Sequence, residues 1–179
     1  MEKQCVFAGF GGQGILTAGL MVANIGAIQE REVTWIPSYG SEMRGGTANC
    51  TVKISDEPIA SPFARKIDIL VVMNKPSLDK FLPQMKKGST VVMDSSIIKE
   101  VPQAEGVTFI SVPATSLCEK IKYERGANIC MLGALAACTS LFEKENYETG
   151  ITSYFSKNPQ FNTNNQAAFQ TGFDYVQGG

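Results

Sequence analysis

The chain has 179 residues, 44% of them hydrophobic and 18% charged, with a formal net charge of −1. This composition excludes an intrinsically disordered chain and predicts one folded domain, which we place at residues 1–179. It also argues against a nucleic-acid-binding surface, which would need a basic excess.

The predicted elements alternate between short apolar strands and helices. Strands are expected at residues 3–9, 33–37, 47–55, 67–73, 90–94 and 107–112. Helices are expected at residues 14–29, 76–85, 113–121, 128–142, 147–156 and 163–176. Asn74 is a candidate cap for the second helix, and Gly88 is expected to end it.

Three features of the helices give further predictions. The packed face of the first helix should comprise Ala18, Val22, Ile25, Ala27 and Ile28. Its two glycines, Gly19 and Gly26, predict the close approach of another backbone. The small residues of the helix at 128–142, Gly133 among them, predict packing flat on a sheet.

This alternation predicts a three-layer α/β/α sandwich. No helix separates the strand at 47–55 from the strand before it, so we expect a mixed, mostly parallel sheet. No segment is apolar enough to predict a membrane span, and no cleavable apolar region precedes the first strand. We therefore expect a cytoplasmic protein that does not contact a membrane.

A glycine-rich turn links the first strand to the first helix, with the sequence Gly9-Phe10-Gly11-Gly12-Gln13-Gly14. Such a turn allows positive φ angles and exposes N–H groups at a helix N-terminus, where an anion can bind. We take Gly9, Gly11, Gly12, Gln13 and Gly14 as a candidate anion site. Tight packing of the strand on the helix is the competing explanation.

The same glycine spacing occurs in dinucleotide-binding folds, which place a carboxylate at the end of the second strand. Here that strand, Val33–Ile36, continues into Pro37-Ser38-Tyr39, and the nearest acids, Glu30 and Glu32, precede it. The sequence therefore predicts an anion site without tight nicotinamide binding.

A second unusual loop covers residues 38–46 and follows the second strand. It combines Tyr39, Glu42 and Arg44 with three glycines. Ligands and partners gather at the carboxyl ends of strands in open α/β sheets, and a guanidinium suits carboxylate or phosphate. The alternative is a surface loop whose Glu42–Arg44 pair contributes less than about 1 kcal/mol.

The five cysteines show no Cys-x-x-Cys pair and no iron–sulfur spacing. They lie at positions 5, 50, 118, 130 and 138 in mostly apolar contexts, which predicts buried, reduced thiols. The chain has no histidine, which excludes a serine–histidine relay and imidazole metal ligands. We predict no metal site and no catalytic residue in this chain alone.

Four segments together resemble the gamma subunit of 2-oxoacid:ferredoxin oxidoreductases, and the resemblance extends over essentially the whole chain. They are the glycine turn 9–14, the loop and strand start 39–48 (Tyr-Gly-Ser-Glu-Met-Arg-Gly-Gly-Thr-Ala), residues 55–59 and residues 128–134. Phe10 and Gly11 stand where pyruvate-type members usually carry His and Arg. In this respect the chain resembles the 2-oxoglutarate and branched-chain members more closely.

The resemblance implies the fold of domain III of pyruvate:ferredoxin oxidoreductase and a multisubunit enzyme that converts a 2-oxoacid to an acyl-coenzyme A. It also implies thiamine diphosphate, magnesium and iron–sulfur clusters on alpha, beta and ferredoxin-like delta subunits, with ferredoxin as electron acceptor. The glycine turn would then approach a phosphate of coenzyme A. The residues implied to face a partner near the thiamine site are Tyr39, Gly40, Glu42, Met43, Arg44, Gly45, Gly46 and Asn128.

Two other interpretations stay open at this point: a Rossmann-like nucleotide-binding module and a scaffold subunit without a ligand. The identity of the 2-oxoacid is also open. Unpaired interface surface makes a homodimer of the isolated chain plausible.

Overall fold

A computed structural model describes residues 1–39 and 47–178. The strands are β1 Lys3–Phe10, β2 Glu32–Tyr39, β3 Thr47–Ser55, β4 Ile67–Val72, β5 Met85–Asp94 and β6 Val107–Val112. The helices are α1 Ile15–Ile28, α2 Lys75–Phe81, α3 Ala114–Lys120, α4 Ala127–Cys138, α5 Lys144–Tyr154 and α6 Pro159–Gly178, with short 3₁₀ helices at Leu82–Gln84 and Glu124–Gly126.

The described strands form one sheet in the order β2-β3-β1-β4-β5-β6. β3 runs antiparallel to its neighbours β1 and β2, while β1, β4, β5 and β6 pair in parallel. The predicted mixed, mostly parallel sheet is therefore confirmed. Because only β3 is reversed, the other five strands end at one edge, which we call the carboxyl edge.

Two apolar layers flank the sheet, as the alternation of side chains along β1 shows. Cys5 and Phe7 point to the layer formed by α1 and α3–α6. Val6 and Ala8 point to the opposite layer, which contains α2. The predicted three-layer sandwich is confirmed, and the near-continuous apolar run of β4 is explained because both of its faces are covered.

The N-terminal cap of α2 is the residue that the sequence indicates. The Asn74 side chain accepts a hydrogen bond from the Ser77 backbone N–H at 2.8 Å. However, α2 ends at Phe81, and Gly88 lies within β5 with a φ of 79°. The prediction that Gly88 ends the helix is therefore wrong, because the chain has already turned into β5 at Met85.

Three predictions about helix packing need correction. Ala27 and Ile28 of α1 are exposed, because at three and four residues from the exposed Asn24 they share its outward face of the helix. Gly19 and Gly26 do lie in close contacts, but with side chains of β3 and β2 rather than with a backbone. A Cβ on Gly19, for example, would lie 2.2 Å from the Cys50 Sγ.

The long apolar helix is also shorter than expected, because α4 ends at Cys138. Its Gly133 faces another helix instead of the sheet: a Cβ there would lie 1.9 Å from the Phe169 carbonyl oxygen of α6. The helix predicted at 163–176 begins earlier, at Pro159, a residue type that suits the first turn. None of the described helices is long and apolar enough to cross a membrane.

Candidate anion-binding site

The end of β2 and the glycine turn lie at the same edge of the sheet. Tyr39 of β2 pairs with Ala48 of β3, and Ala48 in turn pairs with Gly9 of β1. Tyr39 and Gly9 are thus two strand spacings apart, or about 10 Å. Both sequence-predicted loops therefore start at the carboxyl edge.

Positive φ angles in the glycine turn occur at Gly12 (95°) and Gly14 (71°), and not at Gly9 or Gly11. A side chain at Gly9 would meet a different obstacle, because a Cβ there would lie 2.6 Å from the Gln13 Oε1 and would displace the Gln13 amide. Only two of the four glycines in the turn therefore adopt a backbone conformation that favours glycine.

Gln13 braces the turn from within. Its Oε1 accepts a hydrogen bond from the Phe10 N–H at 2.6 Å, and its Nε2 donates to the Met73 carbonyl oxygen at 3.1 Å. Both functional ends of the side chain are engaged, so Gln13 ties the turn to the end of β4. The Phe10 N–H is likewise occupied and is not a free anion donor.

The free donors at this position belong to the first turn of α1. Gly14 is the N-cap residue and gives no side-chain hydrogen bond to the helix, and no acidic residue lies in the first turn. The N-terminus of a helix of 14 residues carries a partial positive charge of about half a unit. Its amide groups are therefore suited to an anion.

Asn128 reaches the glycine turn from α4, 114 residues away along the chain. Its Nδ2 donates to the Gly14 carbonyl oxygen at 3.0 Å, and the residue is only 7% exposed. A Cβ on Gly14 would lie 2.5 Å from that nitrogen. The resemblance groups Asn128 with the second loop, but the structure places its contact on the first.

A cavity of about 450 Å³ opens beside the turn. It is lined by Gly12, Gln13, Gly14, Met73, Ile97, Thr115, Glu124, Arg125, Ala127 and Asn128. These residues come from the segments that follow β1, β4, β5 and β6, from the 3₁₀ helix Glu124–Gly126 and from the start of α4, as expected at the carboxyl edge.

Arg125 is a charged cavity residue that the sequence pattern does not identify. Its place in the Lys120–Arg125 cluster suggests a solvated helix end, and Arg125 is indeed exposed. Its position three residues before Asn128 is the only local signal for its role. In the fold Arg125 lines the same cavity as Gly12 and Gly14, so a cationic residue and a helix N-terminus border one space.

The second loop is only partly described. Tyr39 ends β2 and is 73% exposed, which is high for an aromatic side chain. It does not line the cavity. Gly40, Glu42, Met43, Arg44, Gly45 and Gly46 lie outside the described residues.

The cysteines are free thiols, as predicted. Burial raises the pKa of Cys5 and of Cys50 to about 12, and that of Cys138 to about 11. A hydrogen bond with Cys118, together with burial, raises the pKa of Cys130. Protonated, buried thiols of this kind are poor nucleophiles. Within the described ranges, no three acidic or cysteine side chains are grouped so as to hold a metal ion.

A family model described as pyruvate ferredoxin/flavodoxin oxidoreductase matches residues 4–175. The 2-oxoglutarate synthase subunit KorC of Methanocaldococcus jannaschii is 36% identical, over 99% of this chain and 95% of that protein. The ketoisovalerate oxidoreductase subunit VorA of Methanothermobacter marburgensis is 35% identical over 98% of this chain. The chain spans only 37% of that longer relative.

Two solved structures share the fold. The gamma subunit of a keto/oxoacid ferredoxin oxidoreductase from Geobacter sulfurreducens superposes with a TM-score of 0.82 at 28% identity, over 99% of both chains. A 2-oxoglutarate:ferredoxin oxidoreductase from Magnetococcus marinus, with 2-oxoglutarate, coenzyme A and succinyl-CoA bound, gives a TM-score of 0.88 at 23% identity. This chain covers 31% of the latter, and at that identity the match shows the fold alone.

Proposed function

The chain belongs to the pyruvate ferredoxin/flavodoxin oxidoreductase family, and we propose that it acts as the gamma subunit of a 2-oxoacid:ferredoxin oxidoreductase. In that enzyme a 2-oxoacid is decarboxylated, the acyl group is joined to coenzyme A, and the electrons pass to ferredoxin. Residues 1–179 form its gamma domain, and the complex acts in the cytoplasm. Full-length matches to relatives named as subunits support this proposal.

The partners are alpha, beta and ferredoxin-like delta subunits, which carry thiamine diphosphate, magnesium and the iron–sulfur clusters. Thiamine diphosphate supplies the carbanion chemistry for decarboxylation when it is bound there. The thiols of Cys5 and Cys50, whose pKa values are raised by burial, suit a subunit that contributes shape and charge rather than redox chemistry. The residues of this chain bind and orient coenzyme A.

Among 2-oxoacids we favour 2-oxoglutarate. The relatives named 2-oxoglutarate synthase subunit are of nearly the same length as this chain, as the 95% coverage of the Methanocaldococcus jannaschii protein shows. The ketoisovalerate relative is similar in identity but is much longer. A branched-chain 2-oxoacid is therefore the second candidate.

We assign the cavity beside the glycine turn to an anionic group of coenzyme A, and one observation carries this assignment. The uncapped N-terminus of α1, at Gly14, and the cationic residue Arg125 line one cavity. A phosphate there would gain donors from the helix end and a charge partner from the arginine. Glu124 also lines the cavity, and its negative charge offsets that of Arg125. Because Arg125 is the cationic side chain among the lining residues, the selectivity for anions depends on it.

We assign Tyr39 and the loop that follows it to the contact with a partner subunit. They face a thiamine-bearing partner, while the cavity receives the coenzyme A. The register from Tyr39 through Ala48 to Gly9 supports this assignment, because the end of β2 and the end of β1 are separated by one strand at the same edge of the sheet.

The test uses the complex purified with its partner subunits. Its activity is measured with 2-oxoglutarate, pyruvate and 2-oxoisovalerate, and a viologen dye accepts the electrons. We expect the highest kcat/KM with 2-oxoglutarate. Arg125→Gln should raise the KM for coenzyme A roughly tenfold, since a charge-assisted contact contributes about 1.5–3 kcal/mol.

The matched control is Arg65→Gln. Arg65 is also exposed, but it precedes β4 and so lies at the opposite end of that strand from the carboxyl edge. Arg65→Gln should leave the KM for coenzyme A unchanged. An unaltered KM for coenzyme A in Arg125→Gln would refute the assignment of the cavity, and a complex inactive on all three acids would refute the proposed reaction.

A further inference from the structure

Asp94, the last residue of β5, has a fully buried side chain. None of the ion pairs among the described residues includes it. A buried carboxylate without an ionic partner is destabilising unless hydrogen-bond donors surround it. The hydrogen-bond donors around Asp94 therefore explain how its carboxylate can be buried.

Three donors reach this carboxylate. The Ser96 N–H lies 2.9 Å from Oδ1, and the Thr115 N–H lies 3.3 Å from Oδ2. The Thr115 hydroxyl lies only 2.6 Å from Oδ2. A further bond joins the same segments, because the Ser116 N–H donates to the Ser96 Oγ at 3.0 Å. Asp94 thus connects the end of β5 to the first turn of α3.

The direction of the hydroxyl bond has a chemical consequence. A threonine hydroxyl has one proton, and Thr115 gives it to Asp94. In any further hydrogen bond, the Thr115 hydroxyl oxygen must therefore be the acceptor, and the other group must be the donor. Thr115 is one of the residues that line the cavity beside the glycine turn, and its hydroxyl oxygen keeps lone pairs that can accept a hydrogen bond.

Asn128 adds a second acceptor by the same logic. Its amide nitrogen is engaged with the Gly14 carbonyl oxygen, which orients the amide group. Its Oδ1 makes no hydrogen bond with another described residue and is left to accept. The cavity therefore combines groups that suit an anion, at Arg125 and the start of α1, with acceptors that suit an N–H or O–H donor.

We propose that Asp94 is a positioning residue that holds the Thr115 hydroxyl as an acceptor, so that the cavity selects a ligand carrying N–H or O–H donors in addition to an anionic group. This inference rests on the proposed function, in which coenzyme A enters the cavity. Coenzyme A has such donors in its amides and hydroxyls. Sulfate has the charge but no donor, and it should not use the Thr115 acceptor.

The experiment measures coenzyme A binding to the purified complex by titration calorimetry, together with the inhibition constant of sulfate against coenzyme A at constant ionic strength. Thr115→Val removes the acceptor at nearly constant volume. It should weaken coenzyme A binding roughly tenfold and leave the sulfate constant unchanged. Asp94→Asn should show the same selective loss, because an amide NH₂ group, which is a donor, replaces one of the two acceptor oxygens.

Two further variants complete the series. Thr115→Ser keeps the hydroxyl and should restore coenzyme A binding, and Thr108→Val alters an exposed threonine of β6 away from the cavity as a matched control. Thr115→Val and Thr115→Ser leave the buried carboxylate in place, so the comparison stands even where Asp94→Asn folds poorly.

The outcomes separate this inference from the assignment of the cavity. Equal weakening of coenzyme A and sulfate by Thr115→Val would overturn the inference, since it would reflect general damage. Unchanged coenzyme A binding in Thr115→Val, with a loss in Arg125→Gln, would also overturn it while the cavity assignment stands. Unchanged binding in both variants would refute the cavity assignment itself.

Discussion

Gly12 and Gly14 show how two glycines of one turn differ in their surroundings. Both have positive φ, but a Cβ on Gly12 would meet nothing within 4 Å. A Cβ on Gly14 would overlap the Asn128 amide, whose atoms lie 2.5–2.9 Å away. Alanine at either position strains the backbone, whereas only alanine at 14 also displaces Asn128.

We therefore expect Gly12→Ala to lower the free energy of unfolding by about 1–2 kcal/mol. Gly14→Ala should lower it by a further 1–3 kcal/mol, because overpacking adds to the strain. Urea unfolding of the isolated chain measures both. Equal losses in the two variants would show that the Asn128 contact contributes nothing to stability.

Gln13 lines the cavity, but both polar atoms of its amide are already engaged within the chain. Its amide links the Phe10 N–H to the Met73 carbonyl oxygen, so its effect on an anion is indirect. By holding these two strand ends together, it sets the direction in which α1 starts. The helix end, rather than the Gln13 side chain, then presents donors to the cavity.

At the scale of the elements, α4 and α6 are held together by backbone-to-backbone contact. Gly133 of α4 lies against the Phe169 carbonyl oxygen, and Gly172 of α6 lies against that of Cys130. At each glycine a Cβ would come within 1.9 Å of the opposite oxygen. Since α4 also carries Asn128, this contact fixes the position of one cavity wall.

Glycine to alanine in a helix normally stabilises a protein by about 0.5–1 kcal/mol. At Gly133 we expect the opposite sign, a loss of about 2–3 kcal/mol, because the two helices must separate. Thermal unfolding of Gly133→Ala measures this. Gly178→Ala, where a Cβ meets nothing within 4 Å, is the control and should not lose stability. A gain in stability for Gly133→Ala would contradict the close contact.

At the scale of the whole molecule, Tyr39 is the exposed aromatic side chain that lies nearest in register to the glycine turn. Aromatic side chains that become buried at an interface often dominate its binding energy. In the proposed complex Tyr39 meets a partner subunit, and its burial there would explain its exposure in the chain alone.

Tyr39→Ser should therefore weaken assembly with the partner subunits at least tenfold, a loss of about 1.4 kcal/mol or more. The melting temperature of the isolated chain should not change. Tyr175→Ser on α6 is the matched control, since Tyr175 is also exposed. Assembly is measured by copurification at graded subunit concentrations. Equal effects of the two substitutions would argue against a specific interface at Tyr39.

Much of the fold follows from local pattern. The apolar run of β4, the alternation in β3 and the Asn74 cap each depend on residues within a few positions of one another, so they were predictable. The boundaries of α2 and α4 were not, because helix ends depend on where tertiary contacts stop. The glycine turn was located correctly for the same local reason.

The sequence by itself determined the order of the elements, the layered architecture and the position of the turn between β1 and α1. Only the tertiary structure decided which distant residues complete the cavity: Asn128, Arg125, and Thr115 held by Asp94. Thr115 and Asn128 lie 21 and 114 positions from their hydrogen-bond partners. No local periodicity encodes such pairs, because they depend on how α3 and α4 pack across the sheet.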